Sequence, residues 1–174
     1  MTTEEVKSKI RAINDFPTKG IIFRDLTTAF KEAECMKYFE DEMYRLYADK
    51  GITKVIGIES RGFIMAPILG NRLGVGFVPI RKKGKLPANT VQASYTKEYG
   101  VDIIEMHSDA LTSDDVVLIH DDLLATGGTM VAACELVKKF GVKRIYVNCL
   151  VELDALEGRK AFDKDIDVQT LLHF

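Results

Sequence analysis

Cysteine is scarce in this chain. Cys35, Cys134 and Cys149 are an odd set of three, widely spaced and placed among apolar-periodic residues. That pattern argues against a disulfide framework or a zinc site, so buried thiols are expected. An excess of either charge is lacking too: the formal net charge of −2 gives no general attraction to nucleic acid or an anionic membrane, and partners of neither kind are expected. Nowhere do apolar residues run for the roughly 18 positions of a membrane-spanning helix. The polar N-terminus through Lys9 lacks a signal-peptide pattern, so a cytoplasmic protein is expected. Neither an internal repeat nor a low-complexity segment is visible. Also missing are the Gly-Lys-Ser/Thr ending of a nucleotide P-loop and the Gly-x-Gly-x-x-Gly of a dinucleotide fold, which excludes those two phosphate sites.

What is present is a 174-residue chain, 47% hydrophobic, long enough for one well-buried core. Apolar strands alternate with helical patterns, so the expected fold is α/β: a mostly parallel central sheet flanked by helices, in a single domain over residues 1–174. Strands are expected at Lys54–Ile58, Gly76–Ile80, Val116–Ile119 and Lys143–Val151, and Pro79 places its strand near an edge or bulge. Met36, Phe39, Met43 and Leu46 give the stripe of a helix that Gly51 stops. Val6, Ile10 and Ile13 share a face of a first helix reaching Asn14; Glu4 and Glu5 suit its start, and Thr3 with Val6 is no capping box. Val168–Leu172 is a last extended segment, a candidate to pair with the N-terminal region.

One stretch organises the rest, Val116-Val117-Leu118-Ile119-His120-Asp121-Asp122-Leu123-Leu124-Ala125-Thr126-Gly127-Gly128-Thr129. Its β-branched start reads as a strand buried on both faces, and Met130, Ala133, Cys134 and Val137 follow at helical spacing. The loop between therefore lies where helix N-terminal N–H groups favour an anion, with phosphate the natural choice. Gly127 and Gly128 let the backbone curl around it, and Thr126 and Thr129 add hydroxyl donors. Asp121 and Asp122 can accept from two neighbouring sugar hydroxyls or meet a metal ion. An acid pair alone would equally fit a solvated loop and a helix cap.

The whole string resembles the phosphoribosyl-diphosphate (PRPP) motif of the type I phosphoribosyltransferases. That resemblance implies that Ala125, Thr126, Gly127, Gly128 and Thr129 hold the 5′-phosphate while Asp121 and Asp122 lie along the ribose hydroxyls. A second segment, Phe16-Pro17-Thr18-Lys19-Gly20-Ile21-Ile22-Phe23-Arg24-Asp25, is similar to one in the adenine phosphoribosyltransferases that forms part of a hood over the base, here about residues 14–30. By that likeness the backbone of Ile22 and Arg24 meets the adenine edge, and Ile22 and Leu123 cover the two ring faces.

Glu59-Ser60-Arg61-Gly62 forms another polar loop after a buried strand, and parallel neighbours would bring it beside the first. A guanidinium suits bidentate capture of phosphate, although an isolated arginine more often pairs with a nearby acid. The pattern resembles a diphosphate-binding loop, which assigns Ser60 and Arg61 to the departing diphosphate. The basic run Arg81-Lys82-Lys83-Gly84-Lys85 also follows a strand; Lys82 and Lys85 would add charge there, with Arg81 or its neighbours reaching a partner's site in the homodimer the family implies. Residues 84–100 show no clear period and suggest a mobile lid over about 82–101. Within it, Ser94-Tyr95-Thr96-Lys97-Glu98-Tyr99-Gly100 resembles the family's catalytic loop, placing Glu98 near purine N7 and Tyr99 over the closed site.

The implied reaction converts adenine and PRPP into AMP and diphosphate, with Mg²⁺ carried mainly on substrate oxygens and no protein metal-ligand set. A hypoxanthine, guanine or xanthine enzyme would share the PRPP loop and differ at the hood. A catalytically silent PRPP sensor would need neither Arg61 nor Glu98 and Tyr99. Of the histidines, His107 and His173 lie in extended segments and read as structural. His120 does too, but an imidazole ionising near pH 6.5 is placed to perturb the adjacent acids.

Overall fold

The computed structural model describes residues 1–97 and 100–174. Helix α1 (Thr3–Lys9) is shorter than its apolar spacing suggested. It also starts on a capping box one residue earlier than Thr3: the Thr2 hydroxyl accepts from the Glu5 N–H, and the Glu5 carboxylate accepts from the Thr2 N–H. Ile10 turns extended, and the chain continues as β1 (Arg11–Asn14), paired antiparallel with β2 (Ile22–Asp25) in a separate two-stranded sheet. Tertiary pairing thus overrides the helical period at Ile13. A short helix α2 (Thr27–Phe30) leads to α3 (Ala33–Tyr47), which buries Cys35, Phe39, Met43 and Tyr47.

The main sheet has seven strands: β3 (Lys54–Ile58), β4 (Gly76–Lys82), β5 (Thr90–Lys97), β6 (Gly100–His107), β7 (Val116–Leu124), β8 (Arg144–Glu152) and β9 (Asp167–His173). Their order is β5-β6-β4-β3-β7-β8-β9. The pairings β4–β3, β3–β7, β7–β8 and β8–β9 are parallel, and β5–β6 is an antiparallel hairpin that pairs with the end of β4 at Arg81 and Lys82. Pro79 therefore sits on a strand whose outer edge is unpaired beside it, which removes the cost of its missing N–H. Two expectations are corrected. The stretch without a clear period contains a regular strand over residues 90–97, in which Val91, Ala93 and Tyr95 pack inward and Gln92, Ser94 and Thr96 outward; one small and one aromatic residue obscured the alternation. The last segment pairs with β8, not with the N-terminal sheet.

Helices α1, α3 and α4 (Gly62–Leu73) pack with Val55 and Leu118 on one face of the sheet. Helix α5 (Gly128–Lys138) packs with Ile56, Ile58, Val117 and Ile119 on the other. Burial on both faces is why β3 and β7 read as continuous apolar runs. The three cysteines are free and buried, as expected, and burial pushes the Cys134 thiol up to about 12.

Candidate active site

β3 and β7 are adjacent and parallel, with Gly57 opposite His120, so the loops that leave them share one end of the sheet. Gly62 makes the meeting close: a Cβ there would stand 2.7 Å from the His120 carbonyl oxygen and 3.2 Å from Asp121 Oδ1. No side chain fits without moving one loop off the other. The Glu59–Ser60 peptide is cis, and Arg61 follows at the start of α4.

β7 continues to Leu124, so Asp121 and Asp122 lie within the strand instead of after it. The two side chains leave opposite faces, with Asp122 buried and Asp121 partly so. The Asp122 N–H donates to Asp121 Oδ1 at 2.8 Å. Arg61 Nε lies 2.5 Å from Asp122 Oδ2, an ion pair whose N–H is not aimed well enough to satisfy that oxygen as a hydrogen bond. Burial, then the neighbouring Asp122 charge, holds the Asp121 carboxyl well above the ordinary range. Burial also raises Asp122, against the pull of Arg61. The pair is thus short of positive charge.

Past Leu124, Gly127 takes the left-handed conformation and Gly128 begins α5. Asp121, Leu123, Leu124 and Ala125 through Met130 line a cavity of about 90 Å³, which gathers all five residues assigned to the phosphate. A broader hollow of about 560 Å³ between Met1 and α3 contains no motif residue. The Tyr95 ring comes within 3.9 Å of where a Gly128 Cβ would stand, placing the β5–β6 hairpin beside the glycine-rich loop.

Of the remaining assignments, Arg61 lies 5.9 Å from the Phe23 ring centre, linking its loop to the N-terminal sheet. Ile22 is half exposed, Leu123 half-buried, and Arg24 stacks on the Phe174 ring at 4.3 Å. Ser60, Lys82 and Lys85 are exposed. Arg81 is not a free cation: its guanidinium spans both Glu59 oxygens at 3.2 Å and donates to the Lys85 carbonyl. Glu98 and Tyr99 lie outside the described residues.

The expected effect of His120 on the acids is also corrected. The ring is fully buried, its Nδ1 lies 2.9 Å from Asn148 Oδ1, and Nε2 has no partner among the described residues. Burial pushes its pKa down to about 4, so it is neutral at pH 7 and adds no charge beside Asp121.

Two acids escaped the sequence reading. Glu59 ties Arg81 and the Lys82 N–H to the Arg61 loop, and the Arg81 bond holds its carboxyl below the usual range. Buried Glu105 accepts from the N–H groups of Gly84, Lys85 and Leu86 at 3.0–3.1 Å, fixing the basic turn. An acid interrupting the apolar Ile103–Met106 stretch was its one available signal.

Two strand-end loops, one rich in glycine and one carrying an arginine, meet at an acid pair on an α/β sheet, the arrangement expected of a phosphoribosyl transferase. Residues 30–172 match the family described as the phosphoribosyl transferase domain. The chain is 58% identical to the adenine phosphoribosyltransferase of Bacteroides fragilis, over 99% of this chain and 98% of that one. The crystal structure of the adenine phosphoribosyltransferase from Rhodothermus marinus DSM 4252 superposes with a TM-score of 0.93 at 45% identity, covering 99% and 98% of the two chains. The Saccharomyces cerevisiae enzyme, complexed with D-2,5-dideoxy-2,5-imino-altritol 1,6-bisphosphate and adenine, gives 0.91 at 37% identity and 98% coverage of each chain. The chain belongs to the adenine phosphoribosyltransferases.

Proposed function

We propose that the crevice between the two strand-end loops binds adenine and PRPP and forms AMP and diphosphate by direct displacement at C1′ of the ribose. The observation that carries this reading is the contact at Gly62, which brings Arg61, the acid pair and the phosphate nest to one place. The yeast relative solved with adenine and a bisphosphate analogue supports a shared crevice for base and sugar.

In this reading Ala125 through Thr129 hold the 5′-phosphate with backbone N–H groups and hydroxyls. Asp121 and Asp122 accept from the ribose hydroxyls and favour the positive charge that develops as the C1′–oxygen bond lengthens. Arg61 trades its contact with Asp122 for the diphosphate, joined by Lys82 and Lys85, while Arg81 positions that loop through Glu59. The N-terminal sheet acts as the hood, presenting the Ile22 and Arg24 backbone to the base, with Leu123 beneath it. By the family resemblance, Glu98 and Tyr99 close over the purine and exclude water. The acid pair, buried and short of positive charge, fits a divalent cation nearby, and Mg²⁺ bound with the substrate would screen the charge of the leaving diphosphate. A homodimer and a cytoplasmic setting belong to the same reading through the family resemblance. No helix among the described residues is long and apolar enough to cross a membrane.

With adenine, PRPP and Mg²⁺ supplied, AMP and diphosphate are expected in equal amounts. Excess EDTA should lower the rate on the order of a hundredfold, and added Mg²⁺ should restore it. An unchanged rate in EDTA rejects the metal; no AMP with all components present rejects the reaction.

A further inference from the structure

Two 3-10 turns follow β8, η1 (Asp154–Leu156) and η2 (Gly158–Ala161), and the second lies against the loop that leads into α5. Its fit against the loop leaves no spare room. A Cβ on Gly158 would overlap the Ala125 carbonyl oxygen, and one on Gly127 would stand 2.7 Å from the Gly158 carbonyl oxygen and 3.2 Å from the Ala161 Cβ. The loop that presents N–H groups to the ligand thus rests, backbone on backbone, on Gly158.

The next residue, Arg159, ties η2 to the sheet. Its Nε lies 2.9 and 2.8 Å from the two Glu152 oxygens, Nη1 donates to the Val168 carbonyl at 2.6 Å, and Nη2 donates to the Thr170 hydroxyl at 2.7 Å. The Thr170 hydroxyl in turn donates to Glu152 Oε2 at 2.7 Å. Glu152 is buried and ends β8 in register with Leu124, the last residue before the phosphate loop. Asp154 and His173 stand near it, but Arg159 and Thr170 occupy both Glu152 oxygens, so the group is an anchor and not a cation site.

We propose that Arg159 is a positioning residue: clamped to Glu152, it presses η2 against Ala125–Gly127 and fixes the spacing of the N–H groups that take the 5′-phosphate. The proposal rests on the assignment of that loop to the 5′-phosphate. Small misplacement of a preorganised contact is costly, whereas the partners of Arg159 include none of the residues assigned to the base, so adenine binding should change little.

The test measures ribose 5-phosphate binding by calorimetry, together with the separate KM values for PRPP and adenine. Arg159→Ala is expected to raise the ribose 5-phosphate Kd and the PRPP KM about tenfold, with the adenine KM changed by less than about twofold. Arg159→Lys should recover part of the loss, because an ammonium can meet Glu152 but not also Val168 and Thr170. Gly158→Ala, which leaves the clamp intact and pushes on Ala125 directly, should reproduce the PRPP effect; with the lysine variant it decides the matter if the alanine variant does not fold. Wild-type affinity for ribose 5-phosphate in these variants, even with a lowered Tm, overturns the positioning role. Failure of the wild-type protein itself to bind ribose 5-phosphate overturns the loop assignment and the clamp with it.

Discussion

Arg61→Ala is expected to lower kcat by about a hundredfold or more, the usual cost of one preorganised charge contact in a transition state. The protein should stay folded. The Arg61 side chain is 39% exposed; it pairs with Asp122 and lies over the Phe23 ring. The surrounding loop is held independently, by Glu59 with Arg81 and by Gly62 against His120. Removing one partner of a buried ion pair normally destabilises by stranding a charge. Here burial already raises the Asp122 carboxyl, so proton uptake can relieve the stranded charge. Arg61→Lys should remain impaired, since a point charge cannot reproduce the planar fork. Steady-state kinetics beside a thermal melt separates the outcomes: a near-normal rate removes Arg61 from the diphosphate, and a collapsed melt makes its role structural.

His120 gives the second large effect, on stability. With a folded pKa near 4, against about 6.5 in the unfolded chain, the native ring stays neutral across an interval in which the unfolded ring is protonated. The unfolded state binds more protons there, so stability falls as pH drops from 6.5 toward 4. Between pH 7 and pH 5 this amounts to about 2 kcal/mol, or roughly 4–8 °C in Tm for a chain of this size. Asp121 and Asp122 act with the opposite sign, because their raised folded pKa values make the native state hold protons that the unfolded state releases. They are present in wild type and in His120→Gln alike, so the difference between the two pH profiles isolates the ring. Loss of the Asn148 contact shifts the variant's curve by a constant, whereas its slope from pH 7 to 5 should be shallower than wild type. Parallel curves would show that the native ring takes up its proton as readily as the unfolded one.

The elements legible in the sequence are those whose signal is local. β3 and β7 are buried on both faces and therefore appear as unbroken apolar runs, and the glycine-rich loop assigned to the phosphate sits where such a strand meets a helix. Parallel neighbours had to bring Arg61 toward the acids, and they do. Long-range partnerships left no such trace. Nothing in the spacing of Glu59 and Arg81, or of Glu152 and Arg159, announces a pair, because the fold and not the local chain sets their distance. Arg81 consequently read as a spare cation. The β5–β6 hairpin was missed because it packs with alternating residues of modest hydrophobicity, and α1 was overextended because β-pairing of Ile13 with Phe23 outweighs its helical period. His120 was misjudged in charge because burial, which decides it, is a tertiary property.

The most direct test of the central claim gives the purified protein Mg²⁺, PRPP and an equimolar mixture of adenine, hypoxanthine and guanine, and separates the products by chromatography. The expected result is AMP alone, with diphosphate in equal amount. IMP or GMP in its place would keep the crevice chemistry and contradict the hood's choice of base; no nucleotide at all, from protein that still binds PRPP, would contradict catalysis itself.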